Sequence, residues 1–187
     1  MIRIAGYLVN HPTGLEGERG VGYDYILASN GLFIRAANAH LKVIIPIAEA
    51  EVRGLGPVTP GVSLQHGKIP VWLWDLAVSA FVGSPRTEMY LAYTWEDGVY
   101  HLKHPKQEST SIAVKYERLP NTVLEVHSHA SMPAFFSHTD TEDEKGFGLF
   151  GVVGRLDEEH PEVRLRLGST ATLPTSPGVP SSLARRR

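Results

Sequence analysis

The stretch from Leu124 to Asp140 constrains this chain more than any other, because it asks a β-strand and the start of a helix to meet at one point. Side chains alternate along a strand. In Leu124-Glu125-Val126-His127-Ser128-His129 the two histidines therefore face one side, and Leu124 and Val126 face the other, towards a core. Two imidazoles on neighbouring same-side positions can share one metal ion. Downstream, Ser137-His138-Thr139-Asp140 has the spacing of a capping box, with aspartate in place of the usual glutamate or glutamine. Such a box holds Asp140 at a helix start, and the loop at 130–136 brings it back over the strand.

His127, His129 and Asp140 thus form a two-histidine, one-carboxylate set. On Zn2+ such a set leaves a fourth position open to water, the mark of a catalytic rather than a structural site. A separate carboxylate is then needed to take up and return a proton. A histidine pair at i, i+2 can be accidental. H-x-H, seven residues, then S-x-x-D arises by chance in roughly one such chain in a thousand, so the metal reading is preferred. Non-haem iron oxygenases use the same ligand types, but place the carboxylate beside the first histidine and the second histidine far away.

The rest of the chain reads as support for this segment. Its 187 residues allow one domain or a domain with an extension. Residues 1–65 look β-rich. Runs at 23–27 and 31–35 flank Ala28-Ser29-Asn30 as a hairpin, and an apolar run at 41–47 is closed by Pro46. His11 and His40 look isolated. After Pro70, Val71, Leu73, Trp74, Ala77, Val78, Phe81 and Val82 recur at helical spacing, and Gly83-Ser84-Pro85 ends the run. Strands are expected at 88–94 and 98–102 around Glu96-Asp97-Gly98, then at 111–116, 122–129, 147–153 and 163–167, with a short helix at 140–145. This is a mixed α/β (α+β) layer structure over residues 66–168. Residues 169–187 are Ser/Thr/Pro-rich, end in three arginines, and read as a disordered tail.

Several functions are excluded or set aside. The chain has no cysteine, so disulfides, thiolate zinc sites and cysteine nucleophiles are absent. A net charge of -2 gives no general affinity for nucleic acid. No stretch is long and apolar enough to span a bilayer, and Met1 to Gly6 do not begin a signal peptide, so a cytoplasmic protein is expected. There is no G-x-S-x-G serine elbow. Gly146-Phe-Gly148-Leu-Phe-Gly151 matches G-x-G-x-x-G, but a helix precedes it and a strand follows, the reverse of a dinucleotide site. The acidic run at 142–144 suits a solvated first helical turn.

His127, His129, Ser137 and Asp140, in His-Ser-His-Ala-Ser-Met-Pro-Ala-Phe-Phe-Ser-His-Thr-Asp, resemble the signature of the JAMM metalloprotease family, the JAB/MPN domain. The likeness spans about residues 69–167. That family carries a glutamate on a strand after its first helix, and Glu88 occupies that place, after the helix at 71–82 and Ser84-Pro85-Arg86-Thr87. Glu96, Glu108, Glu117 and Glu125 are the alternatives. Glu125 shares the histidine face by alternation, but the family's topology favours Glu88. Within the family the chain is most similar to the prokaryotic JAB branch. The run from Met132 to Asp140, with Gly151-Val-Val-Gly-Arg155, is similar to the protein A group of PRTRC cassettes.

The resemblance implies a JAB/MPN-like sheet of cytidine-deaminase type packed between helices, with the β-rich region as an N-terminal extension. It implies one Zn2+ per chain on His127, His129 and Asp140. Glu88 would be general base and then acid, and Ser137 would hydrogen-bond the developing oxyanion. The implied activity is hydrolysis of a peptide or isopeptide bond near the C-terminus of a ubiquitin-like or sulfur-carrier-like protein. A ThiF/E1-like protein is an implied partner. The competing readings are an inactive JAB/MPN scaffold and a DNA-associated role like that of the RadC branch. The intact ligand set argues against the first. The charge, and the lack of a Pro-Ser-Gly run after the second histidine, argue against the second.

Overall fold

The computed structural model describes residues 2–109, 114–144 and 146–168. The tail at 169–187, the first part of the strand expected at 111–116, and Lys145 lie outside the described residues. The chain divides into two compact units between Gly67 and Lys68.

The first unit is one six-stranded sheet. Its strands are β1 (Ala5–His11), β2 (Gly14–Glu18), β3 (Tyr23–Ala28), β4 (Gly31–Ala37), β5 (Leu41–Ala48) and β6 (Gly61–Leu64), in the order β2-β1-β3-β4-β5-β6. Only β1 and β3 run parallel. Leu8, Ile26, Ala28 and Phe33 form a buried cluster with Ile44 and Val58 against it. Two expectations need correction. Pro46 does not close its strand. It sits inside β5 opposite Phe33, beside an irregularity between Leu32 and Phe33, where its missing N–H is tolerated. His40 is not isolated. The pairing of Leu41 with Leu64 brings its ring to His66, with Nδ1 and Nε2 3.0 Å apart.

A buried ion pair ties β3 to β4. Arg35 donates to Asp24 Oδ2 from Nη2 at 2.6 Å and from Nε at 3.2 Å, and Gly20 N–H donates to Asp24 Oδ1 at 2.8 Å. Removing one partner of such a pair leaves the other charge desolvated. Asp24→Ala is therefore expected to lower stability by about 3 kcal/mol, measured by urea denaturation.

The second unit begins with α1 (Val71–Val82). Then come β7 (Tyr90–Glu96), β8 (Val99–Lys103), β9 (Gln107–Ser109), β10 (Val114–Tyr116), β11 (Thr122–Ser128), α2 (His138–Asp143), β12 (Gly148–Gly154) and β13 (Glu162–Gly168). Five strands form a sheet in the order β13-β12-β11-β7-β8, and β9 pairs with β10. β11 and β12 are parallel; the other pairs are antiparallel. Asp97 and Gly98, both at positive φ, make the tight β7–β8 turn that their dipeptide predicts. Helix α1 buries Leu73, Ala77 and Phe81, and Tyr93 of β7 donates its hydroxyl to the Leu73 carbonyl at 3.4 Å.

The mixed α+β expectation holds at the coarse level, weighted heavily to β: thirteen strands and two helices among the described residues. β11 occupies the middle of its sheet. Leu124 and Val126 are buried, and the histidines lie on the other face, as alternation requires.

Candidate metal centre

The strand end and the helix start do meet. His127 Nε2 and His129 Nε2 lie 3.1 Å apart. Asp140 Oδ1 lies 3.3 Å from His127 Nε2, and Asp140 Oδ2 lies 3.7 Å from His129 Nε2. Ligands at about 2.0–2.1 Å on a tetrahedral zinc ion stand roughly 3.3–3.4 Å from one another. The three side chains are therefore close enough to share one metal ion, and two imidazoles with one carboxylate are a donor set that zinc accepts. All three side chains are largely withdrawn from solvent.

Asp140 is placed by the capping box. Helix α2 starts earlier than the sequence suggests, with Ser137 as N-cap and Asp140 as its third residue. Ser137 Oγ accepts from Asp140 N–H at 3.1 Å, and Asp140 Oδ2 accepts from Ser137 N–H at 2.6 Å. Aspartate fills the role usually given to glutamate, and this bond fixes the rotation of its carboxylate. Burial opposes the Asp140 charge, but hydrogen bonds from His127, His129 and Ser137 outweigh it and hold the carboxyl far below the usual range. Ser137 keeps its own hydroxyl proton to donate.

The loop at 130–136 is held from below. Arg155 N–H donates to Met132 O at 2.7 Å, Leu156 N–H to Ala130 O at 3.0 Å, and Ala134 N–H to Glu162 Oε2 at 3.1 Å. Gly154 makes this approach possible. A Cβ there would lie 2.4 Å from both Ala134 N and Met132 O, which are backbone atoms that cannot rotate away. Gly154→Ala is expected to displace the loop. Zinc affinity should fall at least about tenfold, the lower bound for losing outer support of a ligand, as read by chelator competition.

Glu88 is reached by the ladder rather than by a formal strand position. β7 begins two residues after it, at Tyr90, opposite His127. One step further, Met89 N–H donates to Ser128 Oγ and Ser128 N–H donates to Met89 O, each at 2.9 Å. A second step along this antiparallel register sets Glu88 opposite His129. Glu88 is buried, and lines a cavity of about 160 Å3 with all three candidate ligands. Burial lifts its carboxyl above the ordinary range, while the His129 and His127 charges pull against that lift.

Glu125 also lines the cavity, as its position on the histidine face predicts. It is engaged elsewhere: the Tyr116 hydroxyl donates to it at 3.3 Å, and Arg118 stands 3.6 Å away. Glu96 pairs with Lys103 at 3.1 Å, and Glu108 and Glu117 are exposed. Within the acidic run, Glu144 departs from the solvated face expected of it. The Glu144 side chain is only 6% exposed, bonds to Arg166, and lines the cavity. Sequence reading also missed the cavity's aromatic wall of Tyr90, Tyr116 and Phe150. Tyr90 and Tyr116 stack with centroids 3.5 Å apart. Buried tyrosines in strands look like ordinary core, and nothing in their spacing marks them as a cavity wall.

No family model matches the chain, and no curated protein matches it. The residues themselves thus define a candidate metal-binding site of two histidines and one aspartate, with a buried glutamate beside it.

Proposed function

We propose that the chain is a zinc-dependent metallopeptidase or isopeptidase of JAMM type, with His127, His129 and Asp140 as ligands. The observation that carries this reading is the convergence of His127, His129 and Asp140 to within metal-sharing distance, with Glu88 buried on the same cavity. The order of parts also supports it: helix α1, then Glu88, then the H-x-H strand, then Ser137 and Asp140 at a helix start.

A zinc ion held by these three residues would supply Lewis acidity, acidifying water towards a pKa of about 7 and polarising the scissile carbonyl. Glu88 accepts the proton of the attacking water and returns it to the leaving amine. Its burial on the cavity it shares with the three ligands places it for both halves of that cycle. Ser137 donates its hydroxyl proton towards the carbonyl oxygen as charge builds there. The substrate class follows from the family resemblance: the C-terminal region of a ubiquitin-like or sulfur-carrier-like protein, with a ThiF/E1-like protein as associated partner. Among the described residues no helix is long and apolar enough to cross a membrane, and a cytoplasmic location belongs to the same proposal.

The test is incubation of the purified chain with a ubiquitin-like protein carrying a C-terminal extension, with and without a chelator. Cleavage that stops with chelator and returns with zinc is expected. A zinc-loaded protein that binds this substrate without cleaving it would instead make the chain a scaffold.

A further inference from the structure

We propose that Arg166 is a positioning residue for the metal site, holding in place the helix that supplies Asp140; this rests on the zinc reading above. Helix α2 has six residues. Isolated helices shorter than about 12–15 residues are marginal in water, so α2 depends on outside contacts for its position. The capping box orders its first turn but does not tie it to the sheet that carries the histidines.

Arg166 makes that tie. Its guanidinium carbon lies 4.0 Å from the ring centroid of Phe136, the residue just before the N-cap. Its Nη2 donates to Thr141 Oγ1 at 3.2 Å, in the body of the helix. Its Nε donates to Glu144 Oε2 at 2.6 Å, at the C-cap. One planar group thus touches the segment before the helix starts, within it, and where it ends. Arg166 sits on β13 opposite Phe150 of β12, and Phe150 in turn lies opposite Glu125 of β11, the histidine strand. Arg166 therefore references the body and end of Asp140's helix to the sheet that holds the other two ligands, beyond the ties of the 130–136 loop.

Glu144 makes the tie specific. Its side chain is almost fully buried, and Oε1 has no hydrogen-bond partner among the described residues. A buried carboxylate needs a paired cation, and Arg166 supplies one. Lysine would supply that charge but not the flat fork that stacks on Phe136 and reaches Thr141 as well.

The test is zinc affinity of the apo full-length chain, by competition with a chromophoric chelator, for wild type, Arg166→Met, Arg166→Lys and Glu144→Gln. Circular dichroism and thermal melting of each apo protein accompany it. Arg166→Met is expected to bind zinc about 10- to 100-fold more weakly than wild type while still folded, the range for residues that orient a ligand. Arg166→Lys should recover part of that loss. Glu144→Gln should weaken binding, and adding it to Arg166→Met should cost little more. A purely structural role would lower the melting temperature and leave the affinity of the folded protein unchanged. The inference is overturned if folded Arg166→Met binds zinc within about threefold of wild type, well short of that range. Should Arg166→Met fail to fold, the same threshold applied to Arg166→Lys and Glu144→Gln decides. A wild-type chain that binds no zinc overturns the metal reading and this inference together. Normal wild-type binding with unchanged variants overturns the inference alone.

Discussion

Glu88→Gln is expected to retain about one zinc per chain, as for a single three-ligand site, and to lose most hydrolysis. General acid–base groups typically contribute about 100- to 10,000-fold, and the loss in kcat should fall in that range. Glutamine keeps the shape and buried position of Glu88, so neither the ladder around Met89 and Ser128 nor the ligand geometry has reason to change. What disappears is the ability to accept and return a proton. The measurement pairs steady-state hydrolysis with metal content on one preparation. A fully active variant would place the base elsewhere in the cavity, with Glu125 the next carboxylate to replace.

Asp140→Asn is expected to have the opposite signature, losing metal and activity together. Asparagine can still accept the Ser137 N–H, so the N-cap of α2 can survive. The one negative ligand, however, is gone from a site of two imidazoles and one carboxylate. Zinc affinity should fall by more than about 100-fold, beyond the range seen when only outer-shell partners are removed. Hydrolysis should drop to the level of the chelated wild type. The contrast between these two variants separates ligand from base: one keeps the ion and is inert, the other loses both.

The parts of this account that could be read in advance are those with a local physical cause. Alternation alone assigns Leu124 and Val126 to the core and the histidines to the other face. The S-x-x-D spacing is a short-range hydrogen-bonding rule, and it predicts the capping box that fixes Asp140. Helix α1 and the Asp97-Gly98 turn carry equally local signals. What could not be read depends on pairing across distance. β2, with sequence Gly-Leu-Glu-Gly-Glu, is exposed throughout and exists only because β1 lies beside it. β7 is buried on both sides from Tyr90 to Thr94, so it shows no alternation from which a face could be assigned. Glu88 lies before its strand begins, and its nearness to His129 comes from the β7–β11 register, not from its own neighbours. Glu144 looks solvated in an acidic run, because Arg166, the cation that permits its burial, lies 22 residues away in the chain.

The central claim is that His127, His129 and Asp140 hold a zinc ion. It is tested most directly by elemental analysis of the chain purified without chelator, then stripped and titrated with zinc. About one zinc per chain is predicted, the complement of a single three-ligand site, removable by chelator and restored on titration. A well-folded wild-type chain that carries no zinc and takes none up would contradict the account.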